Sequence, residues 1–541
     1  MKELGHDDGV VGWSDGAISS VLLAETTLIS LPSDALAHIL SLLAADGLAQ
    51  ATGVCRAFRL ALGAAAAARA ARLGRTLPTG RTSEPLHLAL RWVERTAAPV
   101  APTLAAGGAH TLALGLGGAR RVFSWGGDPD DFNNHASHLG HGKLTSEPVT
   151  LPTAVLGLER LSVCAVAAGD YVSCILSRQG EVWTVGRTGC SLLGRAEPSA
   201  ADEQEEQRAQ LPQHVAPGLR VVAVACGASH SLLVCEAGGL YSWGWGESGA
   251  LGHGVCDDEP VPRRIEGLTA RVHHFCCGGA HSLAVCADEG RLFAWGDAEY
   301  GRLGLGMESG TVLRPCQAGA DVSRYARCGA SRNHSLAVCA AGGLWSFGSG
   351  DLGMLGHGDR ADRLRPTRVS ALRGVCVHEA AAGWHHSAAL DSDGRVYTFG
   401  FDDGGLAVES PTHDPPPRRS PIHTHDPSAR APDGVLGHED RFHDDDLQLL
   451  PRVVQPLLGH VVVEVACGAH HTVVRLRCGA VLTFGEGRKG ALGTGALESA
   501  CQPQRVLDKL EMIAQLQRER DALMAALRQS TEGLQMLSVD G

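Results

Sequence analysis

The sequence predicts a mainly β protein: a seven-bladed β-propeller with a small α-helical module before it and a helix after it. Two observations carry this prediction. A pattern of aromatic residues and glycines recurs seven times, and each copy holds short runs of β-branched and aromatic residues bounded by glycine. Units of four short strands that repeat around a ring close on themselves and leave few exposed edges.

The seven copies are aligned on a pair in which an aromatic residue or a valine precedes a glycine. These pairs are Trp125-Gly126, Val185-Gly186, Trp243-Gly244, Trp295-Gly296, Phe347-Gly348, Phe399-Gly400 and Phe484-Gly485. A histidine lies upstream of the pair in every copy except the second, which reads 169-GDYVS-173. The repeated histidines are His110, His230, His281, His334, His386 and His471. A residue repeated at one strand start in six copies indicates a structural role, in which the imidazole satisfies neighbouring backbone groups.

Three of the copies contain the spelling G-x-G-x-x-G, which is also typical of a dinucleotide-binding turn. The glycines are Gly244-Gly246-Gly249, Gly348-Gly350-Gly353 and Gly485-Gly487-Gly490. A pyrophosphate cradle needs a strand before the glycines and a helix after them. Here Leu-Gly-x-Gly and an extended segment with proline follow instead. The glycines are therefore predicted to form turns, and no cofactor is expected.

The third copy illustrates the predicted strands, at 219–227, 230–235, 240–244 and 260–265. Aromatic residues in the third strand stand two apart, so both rings face the same side of the sheet. Half of the chain's aromatic residues occupy these two columns, which predicts packing between neighbouring sheets. They are Phe123, Trp125, Trp183, Tyr241, Trp243, Phe293, Trp295, Trp345, Phe347, Tyr397, Phe399 and Phe484.

The pattern ACGxxHSLxV, then a strand ending in Trp-Gly, then Gly-x-Leu-Gly-His-Gly, resembles the regulator-of-chromosome-condensation repeat over residues 100–507. The resemblance implies a single seven-bladed ring. Some relatives of this repeat are guanine-nucleotide exchange factors or chromatin-associated proteins. A plant ultraviolet photoreceptor is another, but it uses clustered tryptophans, and here only Trp384 has a comparable setting. Photoreception is therefore rejected.

Composition narrows the partners. The net charge of −12 argues against direct DNA binding, which needs a basic face, although basic partners such as histones stay compatible. No apolar run reaches the roughly 18 residues of a membrane span, and the N-terminus lacks a signal pattern. The protein is therefore expected in the cytoplasm or the nucleus. Of its 17 cysteines, four precede a glycine in the repeated pattern and three end apolar runs, which is typical of reduced, buried thiols: Cys226, Cys277, Cys328, Cys467, Cys235, Cys286 and Cys339.

Three copies carry insertions, at 128–138 in the first, 197–210 in the second and about 409–434 in the sixth. The proline and charge content of the third insertion predicts a disordered loop. His413, His423 and His425 lie in it, but without fixed spacing they do not predict a metal site.

Residues 28–73 form a different module, preceded by a disordered N-terminus at 1–27. Leu-Pro at 31–32, Ile-Leu-Ser-Leu-Leu at 39–43 and Val-Cys-Arg-Ala-Phe at 54–58 resemble an F-box. The resemblance implies contact with the adaptor subunit of a cullin-RING ubiquitin ligase through Leu31, Pro32, Ile39, Leu40, Leu43, Val54 and Phe58. An amphipathic helical cap on the propeller is the alternative interpretation.

Helical patterns also fill a linker at 74–99 and a C-terminal segment at 508–541. The latter has leucine and isoleucine along one stripe, so it is expected either to pair with another helix as a short coiled coil, dimerising the protein, or to pack on the propeller.

Together these features predict a non-catalytic substrate receptor of a Skp-cullin-F-box ubiquitin ligase, with an unknown target protein held by the propeller. The expected gain in ubiquitin transfer comes from proximity. The alternative function is a nucleotide-exchange or chromatin-associated propeller, whose partner is a small GTPase or a histone. No metal site, nucleophile–base pair or intrinsic catalysis is expected.

Overall fold

The computed structural model describes residues 102–115, 121–127, 137–142, 147–188, 191–195, 210–268, 270–287, 289–319, 324–402, 434–438 and 447–506. The chain divides into two compact units, Met1–Ala98 and Pro99–Gly541, and every described residue belongs to the second. The predicted N-terminus, F-box-like module, linker, sixth-copy insertion and C-terminal helix lie outside the described residues. None of the described residues forms a helix long and apolar enough to cross a membrane.

The second unit is a ring of seven four-stranded antiparallel sheets, which confirms the predicted seven-bladed propeller. Each blade takes its strands from one continuous stretch of chain and places them in chain order. Blades 1 to 4 contain β1 (Leu104–Ala106), β2 (His110–Leu114), β3 (Val122–Gly126), β4 (Val149–Ala154), β5 (Val163–Ala168), β6 (Val172–Ser177), β7 (Val182–Gly186), β8 (Gln213–Val215), β9 (Val221–Cys226), β10 (His230–Cys235), β11 (Leu240–Gly244), β12 (Glu259–Arg264), β13 (Val272–Cys277), β14 (His281–Cys286), β15 (Leu292–Asp297) and β16 (Thr311–Ala318).

Blades 5 to 7 repeat the plan. They contain β17 (Tyr325–Ala330), β18 (His334–Cys339), β19 (Leu344–Gly348), β20 (Arg363–Arg368), β21 (Val377–Ala382), β22 (His386–Asp391), β23 (Val396–Phe401), β24 (Leu447–Val453), β25 (Val462–Cys467), β26 (His471–Leu476), β27 (Val481–Gly485) and β28 (Ala500–Arg505). In the described part of the chain, the helical segments are 3-10 turns at Ser137–Leu139, Glu299–Gly301, Ser370–Leu372 and Gln455–Leu457.

The repeated histidine and the glycine of the repeated pair lie opposite each other on neighbouring strands. In blade 3, His230 of β10 pairs with Gly244 of β11. Gly244 has φ +117°, and a Cβ there would lie 2.6 Å from the carbonyl oxygen of Ser229. Only glycine fits this close approach of two strands, which explains why the aromatic residue of the anchor is always followed by glycine.

The seams between blades form the hydrophobic core. The second aromatic of each column pair is fully buried in six blades, as Trp125, Trp243, Trp295, Phe347, Phe399 and Phe484. At the seam between blades 3 and 4, Trp295 packs with Leu232 and Val234 of the neighbouring blade. Burying a large apolar side chain contributes roughly 2–3 kcal/mol. The predicted packing of aromatics between sheets is therefore what holds the ring together.

The outer strand of each blade is an edge, and proline protects most of these edges from pairing with other chains. A proline lies inside the fourth strand of six blades: Pro152, Pro262, Pro315, Pro366, Pro451 and Pro503. A proline there is tolerated because its missing N–H would face solvent.

The ring closes by direct packing of blade 7 against blade 1, without an exchanged strand. Glu464 of β25 accepts hydrogen bonds from the backbone N–H groups of Thr103 (2.7 Å) and Leu104 (2.9 Å) and from the Thr103 hydroxyl (2.6 Å). Arg475 forms an ion pair with Glu464 at 3.4 Å and donates to the carbonyl oxygens of Thr103 and Leu114. These contacts join residues about 360 positions apart.

Candidate functional site

The glycine motifs form turns, as the sequence predicts, and they also make room for the next blade. In blade 3, the N–H of Gly249 donates to Gly246 and that of Gly252 donates to Gly249. A Cβ on Gly252 would lie 2.8 Å from Nε1 of Trp295, whose indole N–H donates to the carbonyl oxygen of Ala250 at 2.8 Å. The loop leads into strand β12. It therefore presents no helix N-terminus to a phosphate.

Gly252→Ala is expected to destabilise the ring by about 2–4 kcal/mol, because it adds left-handed strain to a clash with Trp295. Gly267→Ala is the matched control. Its φ is +92°, close to the +77° of Gly252, but nothing lies within 4 Å of an added Cβ. Only the strain should remain in that variant, at about 1–2 kcal/mol. Urea unfolding at neutral pH measures the difference, and equal losses would show that Trp295 does not depend on this glycine.

The repeated histidines are structural, but their partners differ from the expectation. Each Nε2 forms a hydrogen bond of 2.7 to 2.9 Å with a hydroxyl group of the next blade, and not with a backbone group. The pairs are His110–Ser173, His230–Ser282, His281–Ser335, His334–Ser387, His386–Thr472 and His471–Thr111. Burial lowers the pKa of His230 to about 4 and those of His334 and His471 to about 3. These imidazoles are neutral at physiological pH and closed to substrate.

The first strands line a central channel that holds a cavity of about 230 Å³. Most lining residues are alanine, glycine, valine and cysteine, but Arg327 and Glu379 also reach it. Burial raises the pKa of Glu379 to about 7, an effect that the charge of Arg327 opposes and that of Glu464 reinforces. His274 accepts a hydrogen bond from the backbone N–H of Cys328 in the next blade. These groups tie blades to each other.

One end of the ring carries a different chemistry. The loops between the first and second strands, called here the mouth loops, comprise 107–109, 169–171, 227–229, 278–280, 331–333, 383–385 and 468–470. They surround the channel mouth together with the glycine loops that follow the third strands. Because the strands are antiparallel, both sets of loops lie at the same end. This end is called here the loop end.

Charged and aromatic groups from four blades converge at the mouth. The Arg332 guanidinium lies 5.0 Å from the centre of the Trp384 ring, and Trp384 lies 5.3 Å from the ring of His470. Asp170 is partly exposed there, yet burial raises the pKa of its carboxyl to about 6. The charges of Arg332, Lys489 and His470 oppose this shift. At neutral pH the mouth therefore offers an anion, cations and an aromatic surface side by side.

Two further arginine–aromatic pairs lie at the loop end. The Arg187 guanidinium lies 5.3 Å from the Tyr171 ring centre, and Arg302 lies 5.7 Å from that of Tyr300. Tyr171 is 37% exposed and Trp245, in the glycine loop of blade 3, is 38% exposed. Tyr300 has φ +59°, which is uncommon outside glycine. The loop end thus displays rigid aromatic side chains supported by stacked guanidinium groups.

The described chain is interrupted by the three insertions at this end. In blades 1, 2 and 6 the chain between the third and fourth strands contains the segments 128–138, 197–210 and 409–434 noted in the sequence. Since third strands end at the loop end, each inserted segment leaves the described structure there. The opposite end carries short turns and the linkers between blades.

The other predicted site residues are placed as follows. The F-box-like residues Leu31, Pro32, Ile39, Leu40, Leu43, Val54 and Phe58 and the histidines of the sixth-copy insertion lie outside the described residues. In the part of the chain that the structure describes, no three His, Cys, Asp or Glu side chains lie close enough to hold a metal ion. The cysteines described there are free thiols.

The sequence analysis did not single out Asp170, Arg332 or Lys489. A signal existed, because Asp170 and Arg332 are each the middle residue of a mouth loop, in copies that read Gly-Asp-Tyr-Val and Ser-Arg-Asn-His and so depart from the Gly-Ala-His spelling. Departures from a repeat at a fixed, exposed position indicate function more strongly than the repeated residues do.

Comparison with known proteins identifies the family. The sequence profile of the RCC1-like domain matches residues 65–425, and that of the regulator of chromosome condensation (RCC1) repeat matches residues 432–475. The ultraviolet-B receptor UVR8 of Arabidopsis thaliana is 30% identical over 396 residues, which make up 72% of this chain and 78% of that receptor. The human E3 ubiquitin-protein ligase HERC2 is 31% identical over 60% of this chain, but over only 6% of that ligase.

Solved structures share the fold. Yeast RCC1 (Prp20), solved bound to Kap60, is 20% identical, and the two structures superpose with a TM-score of 0.57 over 71% of this chain and 83% of that chain. Human WBSCR16 is 21% identical, with a TM-score of 0.55 over 71% of this chain and 94% of that one. At these identities the similarity shows the propeller fold alone.

Proposed function

Because the chain belongs to the RCC1-like domain family, we propose that its propeller is a protein-binding platform without covalent chemistry of its own. The observation that carries the proposal is the loop end, where Trp384, Tyr171 and Tyr300 stack with arginines. Tryptophan, tyrosine and arginine dominate the binding energy of protein interfaces. Stacked pairs lose little conformational freedom on binding, which favours affinity.

A small GTPase or a histone is the partner class that we propose first. The structure of Prp20p from Saccharomyces cerevisiae is described with its binding properties to Gsp1p and histones. In this chain, Asp170 faces Arg332 and Lys489 across the mouth, so a partner surface that carries both signs of charge fits it. Accelerated nucleotide release from a bound GTPase would assign an exchange activity. We place this function in the cytoplasm or the nucleus.

Trp384→Ala combined with Tyr171→Ala is expected to weaken partner binding by at least about 30-fold, because truncating an interface hot spot costs about 2 kcal/mol or more. Binding of the full chain to purified small GTPases and to core histones is measured by biolayer interferometry. Arg220→Ala with Glu236→Ala is the matched control, since these residues form an exposed ion pair at the opposite end. A partner that binds both double variants equally well would argue against the loop end as the interface.

A role as the substrate receptor of a cullin-RING ubiquitin ligase is our second proposal. It is supported by the F-box-like spelling at 31–58, in which Leu-Pro, Ile-Leu-Ser-Leu-Leu and Val-Cys-Arg-Ala-Phe keep the motif's order. In this arrangement the F-box-like segment binds the adaptor and the loop end of the propeller holds the target. The relative HERC2 is an E3 ubiquitin-protein ligase by name. The two proposals use the same propeller surface and differ in the N-terminal partner.

Leu40→Asp with Phe58→Asp is expected to abolish capture of the adaptor subunit by the full chain, because each change places a charge at a predicted apolar contact. Pull-down of purified adaptor measures this. Trp384→Ala serves as the control, since it alters the propeller and should leave adaptor binding unchanged. If the native chain fails to bind the adaptor, or the aspartate variant binds it equally well, the ligase proposal falls and the binding platform stays untouched.

A further inference from the structure

Six of the seven seams between blades share one set of buried polar bonds. In each, the histidine of one blade bonds to the hydroxyl of the next blade, and that hydroxyl donates in turn to a carbonyl oxygen in the preceding glycine loop. At the seam between blades 3 and 4, His230 meets Ser282 at 2.8 Å and Ser282 donates to Ala250 at 2.8 Å. The set is therefore a repeated lock between neighbouring blades.

The seam between blades 2 and 3 lacks this lock. Val172, which is fully buried, occupies the histidine position of blade 2. Ser231 of blade 3 occupies the hydroxyl position, and its buried Oγ has no hydrogen-bonding N or O partner within the described residues. It lies instead beside the thiol of Cys174 in blade 2. A thiol is only a weak hydrogen-bond partner. A buried hydroxyl with such a partner makes the closed seam less stable relative to an open seam, in which water can bond to the hydroxyl.

A second class of bonds is also missing there. Backbone N–H groups of the mouth loops donate to the mouth loop of the next blade at five seams, as from Gly108 to Gly169 and from Gly279 to Ser331. Among the described residues, no such bond joins blades 2 and 3. This seam is held by apolar packing, by the bond from the Trp243 indole to the carbonyl oxygen of Leu192 at 2.9 Å, and by one backbone bond at the opposite end, from Val221 to Gly180 at 3.0 Å. The equivalent of the Val221 bond is also present at the locked seam between blades 3 and 4, from Val272 to Gly238.

The seam between blades 7 and 1 would be the expected weak point, because no peptide linker joins these blades. It is instead the most strongly bonded. His471 meets Thr111 at 2.9 Å, Thr111 and Trp125 both donate to Ala491, and Glu464 caps the first strand of blade 1. The ends of the ring are thus fastened better than its second seam.

We infer that the ring opens first at the seam between blades 2 and 3, and not where its two ends meet. The opening separates strand β6 from strands β9 and β10, while the six locks at the other seams hold. Local opening of this kind exposes interior groups without global unfolding. The groups it exposes are the thiol of Cys174 and the hydroxyl of Ser231.

Native cysteines report the opening. Cys174 packs at the unlocked seam with Val224 and Trp243, and Cys286 packs at the neighbouring locked seam with Leu232 and Trp295. Both side chains are 0% exposed. Neither thiol can react with a water-soluble reagent until its seam opens, so the ratio of their labelling rates compares the two seams within one molecule.

The experiment labels the reduced full chain with N-ethylmaleimide at pH 7.5 and follows each cysteine by peptide mass spectrometry. Cys174 is expected to label at least about 10-fold faster than Cys286, as one missing hydrogen-bond lock would produce. Val172→His introduces an imidazole that can bond to the Ser231 hydroxyl, as at the other six seams. It should slow labelling of Cys174 by about 10-fold without affecting labelling of Cys286. Equal rates in the native chain, or a faster Cys286, would overturn the inference.

Hydrogen exchange keeps the test valid if the histidine variant does not fold. Backbone bonds that cross a seam break when it opens, as from Val221 to Gly180 at the unlocked seam and from Val462 to Gly394 at a locked one. In the native chain, the Val221 amide should exchange about 10-fold faster than the Val462 amide. Fastest exchange of the Leu104 amide, which donates to Glu464 across the junction of the two ends, would instead place the opening there and contradict the inference.

Discussion

Lowering the pH from 7.5 to about 5 is expected to unfold the ring cooperatively. Burial lowers the pKa of His230 to about 4 and those of His334 and His471 to about 3, from an ordinary value of 6.5. Below pH 6.5 these histidines bind protons in the unfolded chain but stay neutral in the folded ring. The free energy of unfolding therefore decreases as the pH falls through that value. At pH 5 these three histidines alone lower the free energy of unfolding by about 6 kcal/mol.

The pKa values of His110, His281 and His386 are lowered in the same direction, also mainly by burial. Glu379 and Asp170 offset part of this loss, because their raised pKa values of about 7 and about 6 mean that the folded ring binds these protons more tightly than the unfolded chain does. The six histidines outnumber these two carboxyl groups, and the net loss stays comparable with the 5–15 kcal/mol that stabilises a typical domain. Tryptophan fluorescence and near-ultraviolet circular dichroism of the full chain measure the transition, with a midpoint expected between about pH 6 and pH 4.5.

A matched pair of variants identifies the histidines as the cause. His230→Gln can still bond to Ser282 but takes up no proton, so its transition should begin at lower pH than that of the native chain. His460→Gln changes an exposed histidine and should leave the transition in place. A ring that stays folded below about pH 4 would show that the pKa values of the buried imidazoles are not lowered as proposed.

Glu464→Ala is expected to destabilise the propeller by about 3–5 kcal/mol, the cost of removing one partner of a buried ion pair. Its side chain is 13% exposed and that of Arg475 is 12% exposed. The variant leaves the N–H groups of Thr103 and Leu104 without their acceptor and Arg475 without its carboxylate. Urea unfolding at pH 7.5 measures the loss.

Glu236→Ala is the control for this change, because its ion pair with Arg220 is exposed at 66% and 69% and should contribute less than about 1 kcal/mol. Glu464→Gln keeps an acceptor oxygen and should fall between the two. Equal stability of the Glu464→Ala and Glu236→Ala variants would show that the closing contact does not hold the ring.

Local sequence patterns were enough to predict most of the strands. Two strands of the third copy were predicted at 230–235 and 240–244, and β10 and β11 occupy the same residues. Strands bounded by glycine are specified by residues that are neighbours in the chain. The hydroxyl partner of each repeated histidine could also have been predicted from the sequence. A serine or threonine directly follows each histidine, and Ser173 follows Val172 in the second copy. Apart from Ser231, each of these residues receives the bond from the histidine of the preceding blade.

Contacts between distant copies could not be predicted in this way. Glu464 and Thr103 are 361 residues apart, and their pairing depends on which blade follows which around the closed ring. The cluster of Asp170, Arg332 and Trp384 at the mouth has the same origin, since each residue departs from the repeat in its own copy but nothing in that copy shows that the three lie together. Their convergence follows from the radial arrangement and not from any local spacing.

Site-specific photo-crosslinking tests the central claim, that the loop end is the surface that binds partner proteins. A benzophenone amino acid is placed at Trp245 or Met307 of the full chain in cells, two exposed loop-end positions that leave the stacked aromatic residues in place. Arg220 on the opposite end is the reference position. A discrete crosslinked protein partner is expected from both loop-end positions and none from Arg220. Crosslinks that form from Arg220 while Trp245 and Met307 give none would contradict the claim.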